Sequence, residues 1–130
     1  MAIKVYLLGA TGIETVKLKE IINAVEGTLL TQQLKQDLDI QYCGAADLMS
    51  DVLSLMKPGS LLITGLVNLQ SIRTAEMADL AAIIYVRGKA PGPDAIDLAN
   101  ELRIPLIASH ISMFEMCGRL YEAGIKPTMQ

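Results

Sequence analysis

The residues best able to do chemistry in this chain come in three short groups, Thr64-Gly65, Arg87-Gly88-Lys89 and Ser109-His110. Each follows an apolar run: Leu61 to Ile63, Ala82 to Val86 and Pro105 to Ala108. Ligands of parallel α/β sheets bind beyond the carboxyl ends of the strands, so these groups converge if the three runs are neighbouring strands. Two cations, small residues and hydroxyls beside free helix N-termini suit an anion, either a nucleotide phosphate or a carboxylate. The plainer alternative is a loop in which Arg87 and Lys89 are solvated and Gly88 makes a turn. His110 is the one histidine and the natural general acid or base. Catalysis would need an orienting carboxylate or a nucleophile beside it, and the local sequence offers only Ser109 and Ser112, with Glu115 expected in a helix cap. A helix-entry histidine without a catalytic role is the simpler expectation.

Other candidate groups are incomplete. Asp47 and Asp51, four apart on one helical face, have no third ligand, and read as a helix cap and a solvated side chain rather than a metal site. Cys43 and Cys117 share no CxxC spacing, and one histidine is too few to complete a zinc set with them. Reduced, unpaired thiols are expected, with no metal and no cofactor. The opening Leu7-Leu8-Gly9-Ala10-Thr11-Gly12 has the outline of a dinucleotide-binding turn. That fingerprint wants a third glycine where Thr15 stands and an acidic residue after the second strand, and neither is present. Gly9 and Gly12 are therefore read as turn residues in a short N-terminal strand or extension over residues 1–15.

The elements that must position these groups follow from composition and periodicity. The chain has 130 residues, one domain's worth,. Hydrophobic residues make up 52% and charged ones 19%, without tryptophan and with a single phenylalanine, so the core is aliphatic. That is the composition of an α/β layer structure. Net charge is −3 with no basic run, which excludes the electrostatic footprint of a nucleic-acid binder,. The longest apolar run, Leu61 to Leu69, is broken by Thr64, Gly65 and Asn68, so no membrane span is expected. The first residues lack a secretory pattern, and the chain reads as cytoplasmic.

Val16, Leu18, Ile21, Ile22 and Val25 recur at helical spacing, with Gly27 at the stop. Thr28 to Thr31 and Ile40 to Cys43 predict short strands. Asp47 is expected to cap a helix carrying Leu48, Val52, Leu55 and Met56, ended by Lys57-Pro58-Gly59. Leu61 to Thr64 predicts a strand buried on both faces. Then follow a helix over Asn68 to Asp79, a strand over Ala82 to Val86, a helix over Pro93 to Leu102, a strand over Pro105 to Ala108 and a helix over Met113 to Ala123. Pro93 suits the first helical position. Ser112-Met113-Phe114-Glu115 has the form of a capping box, with Ile111 and Met116 as its staple and Gly124 as its stop. Alternating strands and helices imply parallel pairing. The fold expected is therefore α/β, a single-domain, mostly parallel sheet with helices packed on it.

From about Val16 to Gly124 the chain resembles the DRTGG-domain family, specifically its small stand-alone members. The likeness is carried by "LKEIINAVEGTLLT", "ADLMSDVLSLMKPGSLLITGL", "RTAEMADLAAIIYVRGKAPGPDAIDLANELRIPLIAS" and "MFEMCGRLYEAG". The eponymous Asp-Arg-Thr-Gly-Gly string is absent, with Ile63-Thr64-Gly65 its nearest echo. Related domains are appended to phosphotransacetylases and to pyrophosphatases with CBS domains, and are similar to the N-terminal domain of the HPr serine kinase. The resemblance implies a DRTGG-like domain over residues 16–130 acting as a regulatory or assembly module, often dimeric. Stand-alone members are commonly encoded beside iron-only hydrogenases and small ATP-binding kinases, which implies a protein partner in redox or energy-status signalling.

Two functions are then in view. The first is a non-catalytic regulatory module that dimerises and senses a small anionic ligand such as a nucleotide, through Thr64, Gly65, Arg87, Gly88, Lys89, Ser109 and His110. The alternative is a small phosphate-handling enzyme using Arg87, Lys89 and His110. A homodimer is expected because few charged residues remain to solvate outer helix faces and sheet edges. The Leu61 to Ile72 region is the surface expected to carry the contact.

Overall fold

A computed structural model describes residues 7–8 and 14–128. In chain order the elements are β1 (Leu7–Leu8), β2 (Glu14–Lys17), α1 (Leu18–Ala24), β3 (Thr28–Leu29), β4 (Asp39–Ile40), β5 (Tyr42–Ala45) and α2 (Met49–Leu55). Then come β6 (Leu61–Thr64), α3 (Leu69–Met77), β7 (Ala82–Tyr85), α4 (Pro93–Leu102), β8 (Leu106–Ala108), α5 (Met113–Glu122) and β9 (Lys126–Pro127). Residues 9–13, and with them Gly9 and Gly12, lie outside the described residues.

The main sheet has six strands in the order β3-β8-β7-β6-β5-β9. All neighbours are parallel except β3, which runs antiparallel along the outer edge of β8. The centre is built as continuous apolar runs predict: every residue of β6 and β7 is buried. The strand period of two then sends alternate side chains to opposite faces. Leu61, Ile63, Ala82, Ile84 and Ile107 face one core, shared with Val16, Ile21, Ile40, Met116 and Leu120. Leu62, Ile83, Tyr85 and Leu106 face the other, shared with Val52, Ile72, Ala75, Ala95 and Ala99. Helices α1 and α5 therefore cover one face and α2, α3 and α4 the other, giving the expected α/β architecture with a mostly parallel sheet.

Several elements depart from their expected bounds. Val16 belongs to β2, not to the first helix, because a second, antiparallel sheet β1-β2-β4 claims it: Val16 pairs with Ile40 and Lys17 with Asp39. Ile40 to Cys43 splits between the two sheets, β4 ending at Ile40 and β5 starting at Tyr42. Asp47 does not cap α2. Leu48 stands at the N-cap with no side-chain hydrogen bond, since the Asp47 carboxylate is engaged across the sheet. The capping box forms by half: the Ser112 hydroxyl accepts from the Glu115 N–H at 3.3 Å, while the Glu115 carboxylate turns outward to Arg119. Leu61 to Thr64 lies in the interior of the sheet, so it cannot supply a contact surface, and Leu69 is the exposed apolar residue of that region.

Candidate functional site

Where β5, β6 and β7 end, the turns after β5 and β7 each send one side chain, Asp47 and Arg87, toward Gly65 in the turn after β6. The β6 strand finishes at Thr64, buried, whose hydroxyl donates to Asp47 Oδ1 at 2.9 Å and accepts the Leu66 N–H at 3.1 Å. The Gly65 N–H donates to the same Asp47 oxygen at 2.8 Å. Asp47, just after β5, is thereby fixed to the turn after β6. The Gly65 N–H holds the Asp47 carboxyl below the usual carboxylate range, partly opposed by burial and aided by the Thr64 hydroxyl and the charges of Arg87 and Lys89. It is a carboxylate at neutral pH, and among the described residues no hydrogen bond reaches its second oxygen, Oδ2.

The turn after β7 brings the cations. Arg87 and Gly88 both take positive φ, 59° and 73°, and the turn is pinned by Arg87 N–H donating to Ile111 O at 2.9 Å and Gly88 N–H donating to Ser109 O at 2.9 Å. A left-handed pair is easy for Gly88 and strained for Arg87. The result aims the arginine sideways over its neighbour: a Cβ placed on Gly65 would lie 2.9 Å from Arg87 Nη2 and 3.7 Å from each Asp47 carboxylate oxygen. Glycine is required for that approach. Arg87 and Asp47 nevertheless do not close to ion-pair distance among the described residues.

Of the seven residues expected to form the site, the structure gathers Thr64, Gly65 and Arg87 around one point, with the charge of Lys89 felt at Asp47. Ser109 and His110 are placed differently. Ser109 is buried, its hydroxyl donating to Val25 O at 2.7 Å and accepting from the Ile111 N–H at 3.2 Å, which occupies it in holding β8 to the end of α1. His110 is exposed, and its Nε2 stands 3.9 Å from Glu26 Oε1. Glu26 also takes Arg119 Nη1 at 3.0 Å, and Arg119 bonds Ala24 O and Glu115. His110 thus stands beside the Glu26–Arg119–Glu115 ion-pair cluster between α1 and α5. Asp47 was missed as a site residue because its partners, Thr64 and Gly65, are distant in sequence. Its local signal, Asp-Leu-Met-Ser, is that of a helix cap.

Among the described residues no three metal-ligating side chains come together. Cys43 and Cys117 are free thiols. Burial raises the pKa of both, and the proximity of Cys117 adds to the effect on Cys43, which favours the protonated thiol over the nucleophilic thiolate,. No described helix is long and apolar enough to cross a membrane. Two adjoining grooves, of about 330 and 580 Å³, open near the amino end of β8 under residues 29–38, with leucines, glutamine amides and Pro105 in their lining. They are at the opposite end of the strand from the turns that carry Arg87 and Asp47.

No curated protein matches the chain. Among solved structures, it is similar to a crystal structure of the CBS and DRTGG domains of the regulatory region of Clostridium perfringens pyrophosphatase, complexed with activator, diadenosine tetraphosphate. The TM-score is 0.68 at 13% identity, covering 87% of this chain and 50% of that one, so the chain spans about half the length of its solved neighbour. The sheet order and its two helical layers are thus those of a known fold. Together with the match of residues 20–123 to the DRTGG domain model, this means that the chain belongs to the DRTGG domain family.

Proposed function

We propose that this protein is a non-catalytic regulatory module that binds a small anionic ligand, such as a nucleotide, between the turns after β6 and β7. The observation that carries the reading is the Arg87 guanidinium lying over Gly65, at the carboxyl edge of a parallel sheet where such ligands are held,. Its planar donors suit a phosphate or carboxylate. Family membership supports a regulatory role, and the solved neighbour is a regulatory region complexed with a nucleotide activator. A phosphate-handling enzyme built on Arg87, Lys89 and His110 would need the histidine beside the reacting group, whereas His110 faces Glu26.

Dimerisation completes the reading. Among the described residues, five of the seven large exposed apolar ones, Leu48, Leu53, Leu55, Leu69 and Met77, belong to α2, α3 and their caps, and these two helices pack side by side. A second copy of the chain is the occupant that a self-complementary twofold contact would bring there.

The test is a melting experiment with adenine and guanine nucleotides. A ligand at 100 times its dissociation constant adds about 2.7 kcal/mol of stability. The parent is expected to shift upward, and Arg87→Ala to weaken binding about tenfold or more, as expected for loss of a charge-assisted hydrogen bond. Turnover that vanishes with His110→Ala would support the enzyme instead.

A further inference from the structure

We infer that the groove beneath residues 29–38 is a second binding site, which takes a small carboxylate carrying an extended apolar chain. It lies at the other end of β8 from Arg87 and does not depend on the anion site there.

The groove runs around the amino end of β8 from one helical layer to the other. Its two parts, of about 330 and 580 Å³, share Leu34, Leu38 and Pro105. Beyond that shared stretch one part reaches Leu18, Ile22 and Leu29 on the α1 side, and the other reaches Ala99, Asn100 and Arg103 on the α4 side. Since α1 and α4 cover opposite faces of the sheet, the path bends past Pro105 and suits a chain better than a compact ring. Both volumes are those of small-molecule sites.

The segment above the groove is tied at its ends only. Leu30 N–H donates to Leu106 O, Gln32 N–H to Asn100 Oδ1, and Leu18 N–H to Leu38 O, each at 2.8 Å. No hydrogen bond joins residues 33–36 to the other described residues. Leu34, half-buried over both parts of the groove, packs into neither core cluster. An apolar chain beneath it would bury a leucine that the fold leaves without apolar partners.

The α4 end is built from donors. Lys35 and Arg103 line it with no aspartate or glutamate, and neither is ion-paired among the described residues. Glu76 and Asp79 border only a separate hollow that Arg103 also lines. Asn100 Oδ1 is taken by the Gln32 N–H and Thr31 Oγ1 by the Leu106 N–H, which leaves the Asn100 amide protons and the Thr31 hydroxyl proton to donate,. The carbonyls of Ala99 and Asn100 are already bonded to the Ile104 and Arg103 N–H groups. Donors and cations together suit a carboxylate head, with its chain along the leucines toward α1. Asp37, the acid at that apolar end, is engaged by the Lys19 and Leu38 N–H groups.

The experiment is titration calorimetry of the full chain with octanoate, against acetate, which has the head without the chain, and 1-octanol, which has the chain without the charge. Octanoate is expected to bind at least tenfold more tightly than either. Arg103→Gln should weaken octanoate about tenfold, as loss of a charge-assisted hydrogen bond does, and leave octanol unchanged. Leu34→Asn should weaken both. Neither side chain belongs to a core cluster, so both variants are expected to melt with the parent, and Arg87→Ala should bind octanoate as the parent does. No binding of octanoate, or binding indifferent to both groove variants, overturns the site. Octanol bound as tightly as octanoate overturns the carboxylate, and octanoate binding lost in Arg87→Ala places the head at the other end of β8 and overturns the proposal.

Discussion

Gly65 is the position around which the site turns, because Arg87 reaches the Asp47 side of the sheet only across its bare Cα. Alanine there would put a methyl 2.9 Å from the guanidinium. The atom in the way is the end of a flexible side chain, so the fold should adjust while the arginine is displaced. Gly65→Ala is expected to change stability by less than about 1 kcal/mol and to weaken nucleotide binding several-fold, checked by melting and titration of one preparation. The Asp47 carboxyl gives a second expectation. In the unfolded chain it takes up a proton near the ordinary value of about 3.9, whereas in the folded chain the Gly65 N–H, Thr64 and the nearby cations hold its pKa lower. The unfolded state therefore binds more protons in between: the stabilisation is fully present above the ordinary value and is lost as pH falls through the folded one. Asp47→Asn lacks that dependence, so its melting temperature should fall less steeply than the parent's on acidification below about pH 5. Identical slopes would refute the assignment.

The helices and strands divide by how local their signals are. Helix α4 begins and ends where Pro93 and Leu102 predict, because proline at the first position marks its start without help from the rest of the fold,. Strands β6 and β7 were legible as continuous apolar runs, since burial on both faces leaves little alternation to read. Strand β2 was not legible: it runs straight into α1 with no turn residue to separate them, and only the pairing of Val16 with distant Ile40 marks it as a strand. The site shows the same division. Its glycine and arginine announce themselves at strand ends, while the Asp47 contact, formed between separate turns, leaves no local trace. Helix α5 sits between these cases. The Ser112 hydroxyl does cap it, so Ser112→Ala should cost about 1 kcal/mol in a denaturant titration,. Glu115→Ala should instead act through Arg119, which ties α5 to Ala24 and Glu26 at the end of α1.

For the whole domain, the asymmetry of its two helical layers matters most. The layer of α1 and α5 is laced by the Arg119 and Glu26 pairs and exposes two separate aromatics, Phe114 and Tyr121, whereas α2 and α3 present leucines and a methionine to solvent. If that face joins two copies, the double substitution Leu48→Glu with Met77→Glu should bring the mass measured by light scattering at micromolar concentration down to one chain. A parent already at one chain, unchanged on concentration, would refute the dimer. The outermost strand has a different consequence. β9 closes the free side of β5 through Lys126 N–H to Gln41 O at 2.9 Å and Thr128 N–H to Cys43 O at 3.0 Å, and Thr128 Oγ1 accepts from Lys57 N–H and Ser60 Oγ beneath it. On the ribosome, β5 emerges long before β9 does. Throughout that interval its outer N–H and C=O groups are a bare template for any other strand, so the nascent chain passes through a window of aggregation that ends only when residues 126–128 dock.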